Sequence, residues 1–77
     1  MLKEHDRIVL TDDIPDHRLK IGDVGTIVHI YPRGEAFEVE FLTLDGNTAA
    51  LATVLPSQAR PVSGTDITHA REHRLAG

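Results

Sequence analysis

The segment at residues 22–31, with the sequence GDVGTIVHIY, constrains the fold more than any other part of this chain. Its β-branched residues are typical of a strand, and its glycines mark places where the backbone bends sharply. Residues 32–35 predict a tight reversal, and residues 36–41 predict a second strand. A strand, a reversal and a strand with glycines at the bends indicate the beginning of a small, strongly curved β-barrel.

Length and composition limit the class of protein. The chain has 77 residues, enough for one small domain, which at this size buries roughly 60% of the surface of its unfolded chain. We therefore expect a thin core and no deep active-site cleft. Without cysteine, the chain has no disulfide and no thiolate nucleophile or metal ligand. The charged N-terminus is not followed by a long apolar run, so we expect no signal peptide, no membrane span and a soluble, cytoplasmic protein.

The third predicted strand has the clearest pattern in the chain. Phe37, Val39 and Phe41 alternate with Glu38 and Glu40. Because successive side chains of a strand point to opposite faces, the first three residues predict a core face. The two glutamates predict an opposite face in contact with water.

Shorter signals predict the other strands. In the first strand Ile8 and Leu10 share one face, which we expect to be buried. Asp45-Gly46 predicts a hairpin turn, and Pro56 predicts a single helical turn at residues 55–59. The five predicted strands lie at residues 6–11, 24–31, 36–41, 48–54 and 60–62.

The character of the chain changes after residue 62. Ser63 and Gly64 predict a flexible junction, and Thr65 or Asp66 is a candidate N-cap for a helix over residues 67–75. A helix this short with a weak apolar stripe is marginal alone, so the segment docks on the barrel, docks on a partner or frays. We divide the chain into a β-barrel at residues 1–62 and a C-terminal tail, a short helix or disordered, at residues 63–77.

The glycine-spaced strand, Asp45-Gly46 and the closing Arg60-Pro61-Val62 together resemble a family of very short bacterial domains of unknown function, over about residues 3–62. The resemblance implies an all-β fold, a small five-stranded SH3-like barrel with a short helical turn before the last strand. The Gly-Asp-x-Gly-x-Ile part, at residues 22–27, is similar to the KOW motif of ribosomal and transcription-elongation proteins. That similarity implies a nucleic-acid-binding module as the alternative function.

Charge disfavours the nucleic-acid alternative. Residues 1–65 hold ten acidic and six basic side chains, so the whole formal charge of −4 lies in the predicted barrel. Binding to a phosphate backbone depends on clusters of Lys and Arg, which this chain lacks. The same acidic surface is compatible with a basic protein partner.

Five residues are candidates for contact with a partner. The acidic strand face provides Glu38 and Glu40, and the rim of the predicted barrel provides His29, Tyr31 and Arg33. His29 is equally compatible with a plain surface position. We predict a non-enzymatic protein-interaction module, such as an accessory or antitoxin-like subunit of a larger bacterial protein.

Three other patterns resemble functional motifs but are explained by ordinary surface or loop positions. His69-Ala70-Arg71-Glu72-His73 matches the H-x-x-E-H zinc-protease pattern, but it lies in a short tail without a third ligand or a cleft. The residues Asp12, Asp13, Asp16 and His17 lack the alternating spacing of a calcium loop and predict a solvated loop. Neither serine lies in a nucleophile elbow. We therefore predict no catalytic residue, no metal and no cofactor.

Overall fold

Five antiparallel strands in a single sheet form the fold of residues 2–73, the part of the chain that the computed structural model describes. The strands are β1 (Arg7–Leu10), β2 (Val24–Ile30), β3 (Phe37–Leu42), β4 (Thr48–Val54) and β5 (Ala59–Pro61). Their order across the sheet is β4-β3-β2-β1-β5. The all-β class and the five strands are thus confirmed. The sheet is open, with β4 and β5 as its two edges, and the predicted closure is not formed by strand pairing.

The core lies on one face of the sheet. Phe37, Val39 and Phe41 are buried, while Glu38 and Glu40 between them are half-buried on the opposite face. This confirms the faces predicted from the alternation in β3. The other members of the buried cluster are Ile8, Leu10, Leu19, Ile27, Ala52 and Val54. The inward positions predicted for Ile8 and Leu10 are therefore confirmed as well.

Strand β2 bends where its sequence is apolar on both faces. Its pairing with β3 shifts register between Ile27 and His29, which is a β-bulge. Val28, the extra residue, is exposed while Ile27 is fully buried. A bulge increases local twist and bending of the strand. The curvature predicted for this segment is present, and the bulge explains why no single alternation runs along it.

Short 3-10 turns that begin with proline connect several of the strands. They lie at Pro15–His17, Pro32–Gly34 and Pro56–Gln58. Proline suits the first position of a helical turn because its φ is preset and its missing N–H has no partner there anyway. The helical turn predicted at residues 55–59 is confirmed by the last of the three.

Of the two forms predicted for the C-terminal tail, a short helix or a disordered tail, the helix is not formed over residues 67–73. Residues 67–73 have no regular secondary structure, and residues 74 and 75 lie outside the described residues. Both candidate N-caps contact Ser63, which precedes them in the chain, and not the N–H groups of the described residues that follow. Asp66 accepts a hydrogen bond from the Ser63 N–H at 2.6 Å, and Thr65 Oγ1 lies 3.0 Å from Ser63 Oγ. Asp66 also pairs with Arg60 through two hydrogen bonds. No cap is left to start a helix at Ile67, which is 90% exposed.

Candidate functional site

The acidic face of β3 is an ordered surface, because each glutamate is held by a threonine of the neighbouring strand. Glu38 Oε1 accepts a hydrogen bond from Thr53 Oγ1 at 2.8 Å, and Glu40 Oε2 accepts one from Thr48 Oγ1 at 2.7 Å. Both threonines belong to β4, which pairs with β3. A carboxylate oriented in this way offers its remaining lone pairs to a partner in a defined direction.

Two aromatic rings border the same carboxylates. His29 lies opposite Glu38 in the β2–β3 register, and the Tyr31 hydroxyl lies 3.4 Å from Glu38 Oε1. The two rings meet edge to face, with centroids 4.8 Å apart. His29 Nδ1 also lies 3.9 Å from Glu4 Oε2. The structure thus brings together four of the five predicted contact residues, and we name the surface formed by His29, Tyr31, Glu38, Glu40, Thr48 and Thr53 the outer face.

Arg33 does not join the outer face. It lies in the turn Pro32–Gly34, beyond the end of β2, with a positive φ of 63°. Its side chain is exposed, and within the described residues no hydrogen bond or ion pair connects it to the carboxylates. Proximity in sequence to Tyr31 is therefore not matched, among the described residues, by a hydrogen bond or ion pair between Arg33 and the outer face.

Sequence reasoning missed an apolar residue on this surface. Leu51 pairs with Glu40 in the β3–β4 register and is 51% exposed. Its neighbours in β4 are small residues, so no alternation in the sequence marks its orientation. Pairing with an outward glutamate is the signal that places Leu51 among the carboxylates.

A second polar cluster joins residues 67–73, here called the C-terminal segment, to the loop before β2. Arg71 donates to both oxygens of the Asp23 carboxylate, with Nε–Oδ1 at 2.9 Å and Nη2–Oδ2 at 2.5 Å. Its Nη2 also donates to the Arg18 carbonyl oxygen at 2.9 Å. His69 Nε2 lies 3.3 Å from Asp23 Oδ1, and His73 Nε2 lies 3.2 Å from the His17 carbonyl oxygen. No local pattern could have predicted contacts between residues so far apart in the chain.

The Asp23 carboxylate remains ionised in this cluster. Its side chain is only 11% exposed, and burial alone raises the pKa of a carboxyl group. The hydrogen bond and charge of Arg71, together with the Lys20 N–H that donates to Oδ2 at 2.8 Å, outweigh burial. The pKa of Asp23 therefore lies below its usual value, and the carboxylate carries its negative charge beside the Arg71 guanidinium.

An open groove of about 660 Å³ lies between the C-terminal segment and the β3–β4 hairpin. Val24, Leu42 and Leu44 are exposed and provide apolar surface along it, and Asp23 lies among the lining residues. On its other side the groove is bordered by residues 69–73. We name this space the tail groove.

The histidines of the H-x-x-E-H pattern face different partners. His69 is directed to Asp23 and His73 to the His17 carbonyl. In the described part of the chain no three or more His, Asp or Glu side chains are gathered as metal ligands. In the loop that holds the acidic residues 12, 13 and 16, the Asp13 carboxylate stabilises the backbone, since its Oδ1 accepts a hydrogen bond from the Ile21 N–H at 2.9 Å. Among residues 2–73 there is also no helix with the length and apolar character needed to cross a bilayer.

Comparison with known proteins supplies a family but no described activity. Searches of curated proteins and of solved structures found no match to this chain. A family model matches residues 4–61, and its description is Domain of unknown function (DUF4926). The match contains all five strands and stops before the C-terminal segment. The chain therefore belongs to the DUF4926 family, a family of domains of unknown function, as its resemblance to such a family predicted.

Proposed function

We propose that the protein is a non-enzymatic interaction module whose outer face binds a basic protein. One observation carries this proposal: Glu38 and Glu40 are held side by side by threonines of β4, with an aromatic ring at one end and exposed Leu51 beside them. Protein interfaces combine apolar contacts at their centre with a polar rim that makes hydrogen bonds, and the outer face offers both kinds of group.

Charge supports a basic partner. The chain carries a net charge of −4, and the outer face presents two carboxylates without a neutralising Lys or Arg among the contacts described for them. Complementary charge steers encounter and selects among partners more than it adds affinity. Tyr31 and Leu51 would supply the desolvated contacts that hold the complex together.

The curvature of the sheet supports an SH3-like barrel as the form of this module. β5 returns to pair with β1, and β2 bends at its bulge between the two halves of the sheet. A proline-started turn at Pro56–Gln58 leads into β5. In that form the protein acts as a small accessory or antitoxin-like subunit of a larger cytoplasmic bacterial protein.

The KOW-type alternative, binding to nucleic acid, has less support. Two of the arginines already pair with acids inside the protein: Arg60 with Asp66, and Arg71 with Asp23. Fewer cations are thereby left to neutralise phosphates. A gel shift at about 50 mM salt, where electrostatic binding is strong, tests this alternative.

The proposal is tested by affinity capture from the host with three baits: the wild-type chain, a double variant of the outer face and a matched control. The wild-type chain should retain a basic protein, and the double variant Glu38→Gln/Glu40→Gln should lose it. The control bait, Asp12→Asn/Glu35→Gln, removes the same charge from exposed positions outside the outer face and should retain the partner. Equal capture by all three baits, or none above background, would contradict the proposal.

A further inference from the structure

Among the described residues, the C-terminal segment is attached to the loops before β2 through its side chains. Within the described residues, no backbone hydrogen bond joins residues 67–73 to a strand or loop of the domain. Residues 62–70 are all exposed, whereas Arg71 and His73 are half-buried. The segment is therefore held at a few points, of which the Arg71 guanidinium makes the most contacts.

The acceptors that hold Arg71 belong to the domain and are positioned without the segment. The Lys20 N–H donates to Asp23 Oδ2, and the Asp23 carbonyl accepts the Leu10 N–H at 2.9 Å. Arg18 has a left-handed φ of 57°, and its N–H donates to the Pro15 carbonyl at 3.0 Å. Hydrogen bonds within the loop and to β1 thus orient the two Asp23 carboxylate oxygens and the Arg18 carbonyl oxygen toward the position of the Arg71 guanidinium.

This set of acceptors suits arginine better than lysine. A guanidinium is planar and donates two parallel hydrogen bonds to a carboxylate while a further N–H reaches a third acceptor. An ammonium is a point charge without that fork. The side chain of Asp23 is 11% exposed, so the pair is partly shielded from water and salt.

We propose that Asp23 and the Arg18 carbonyl form an arginine-recognition site for an arginine-containing peptide segment of another protein, and that the C-terminal segment occupies this site in cis. The bound segment shows how such a peptide lies: without regular secondary structure, with its arginine on Asp23 and with residues 69–73 bordering the tail groove opposite its apolar wall. The acceptors lie inside the family match, whereas the occupant lies outside it. Asp23 and Arg18 are not part of the outer face, of whose residues only Thr48 also lines the tail groove, and the site does not depend on the function proposed for that face.

The covalent connection between Arg71 and the domain makes the C-terminal segment a local competitor for any peptide that binds the site. Arg71 is connected to the end of β5 by a short stretch of chain, and short flexible tethers give effective concentrations of about millimolar. A peptide in solution must compete with that local concentration. A change that removes the Arg71 guanidinium should therefore open the site to a peptide supplied in trans.

The test measures binding of a fluorescent synthetic peptide with the sequence ITHAREH, which is that of residues 67–73, to full-length protein by anisotropy. Arg71→Ala should bind this peptide at least about tenfold more tightly than the wild type, because its cis competitor is removed. A matched peptide with citrulline in place of arginine keeps the size and loses the charge, and it should lose the gain. Asp23→Asn combined with Arg71→Ala should also lose it.

Two results would overturn the proposal: no gain in affinity for Arg71→Ala, or equal binding of the citrulline peptide. The citrulline comparison needs no change at Asp23, so it decides the matter even where the Asp23 variant fails to fold. The variant Glu38→Gln/Glu40→Gln/Arg71→Ala should bind the peptide as Arg71→Ala does. That result separates this site from the outer face.

Discussion

Gly25 leaves the space into which Val39 packs. A Cβ atom at Gly25 would lie 2.5 Å from Val39 Cγ1 and 2.8 Å from Phe41 Cε2, closer than carbon atoms can approach. Gly25 pairs with Ile8 of β1, so β1, β2 and β3 meet at this position. The absence of a side chain at Gly25 therefore lets Val39 and Phe41 of β3 pack against the backbone of β2 in the core.

Gly25→Ala should destabilise the protein by about 1–3 kcal/mol or more, because the added methyl group forces Val39 and Phe41 out of their packed positions. Urea unfolding followed by circular dichroism measures the loss. Gly64→Ala is the control, since a Cβ there meets no atom within 4 Å. Equal stability of the two variants would show that the core yields easily around Gly25.

Substitutions on the two faces of β3 should differ strongly in how much they change the free energy of unfolding. Phe41→Ala should cost about 3–5 kcal/mol because the ring is buried in the core cluster. Glu38→Gln should change the free energy of unfolding by about 0.5 kcal/mol or less, since the amide oxygen still accepts the hydrogen bond from Thr53. Thermal unfolding of both variants checks the difference, and Phe41→Leu provides a milder core variant where Phe41→Ala does not fold.

How much of this structure the sequence predicts depends on how far apart in the chain the interacting residues lie. The alternation in β3 is local and period-two, so it predicted which side chains are buried. The register of β2 was not predictable, because the bulge at Ile27–His29 removes a constant period. The outer face was found from its acids and aromatics, but the place of Leu51 depends on pairing with Glu40.

The C-terminal segment shows why the remainder was missed. Candidate caps predicted a helix over residues 67–75 as one of two possible forms of the tail, yet Asp66 is bound to Arg60 and the Ser63 N–H. Arg71 is bound to Asp23, 48 residues earlier in the chain. Contacts at that separation are decided by the folded sheet and leave no periodic signal in the segment itself.

The Arg60–Asp66 pair predicts a titration that can be measured directly. Hydrogen bonds from Arg60 and from the Ser63 N–H hold the pKa of Asp66 at about 2, against an ordinary value of 3.8. Carboxyl-carbon NMR should show a midpoint near 2 for the wild type and a higher midpoint for Arg60→Gln. Because the folded pKa is the lower one, the pair stabilises the protein above about pH 4 and loses that effect as the pH falls toward 2. Identical Asp66 midpoints in the two proteins would contradict the pairing.

Arg71→Lys keeps the positive charge beside Asp23 but should release the C-terminal segment almost as fully as Arg71→Ala. The guanidinium donates to both Asp23 oxygens and to the Arg18 carbonyl, and one ammonium cannot reproduce that planar fork. Backbone ¹⁵N relaxation of residues 67–73 reports the release as increased motion on the picosecond to nanosecond timescale. Arg33→Lys, at an exposed turn, is the matched control and should leave those residues unchanged. A segment as ordered in Arg71→Lys as in the wild type would mean that charge alone holds it, and the preference of the Asp23 site for arginine would be lost.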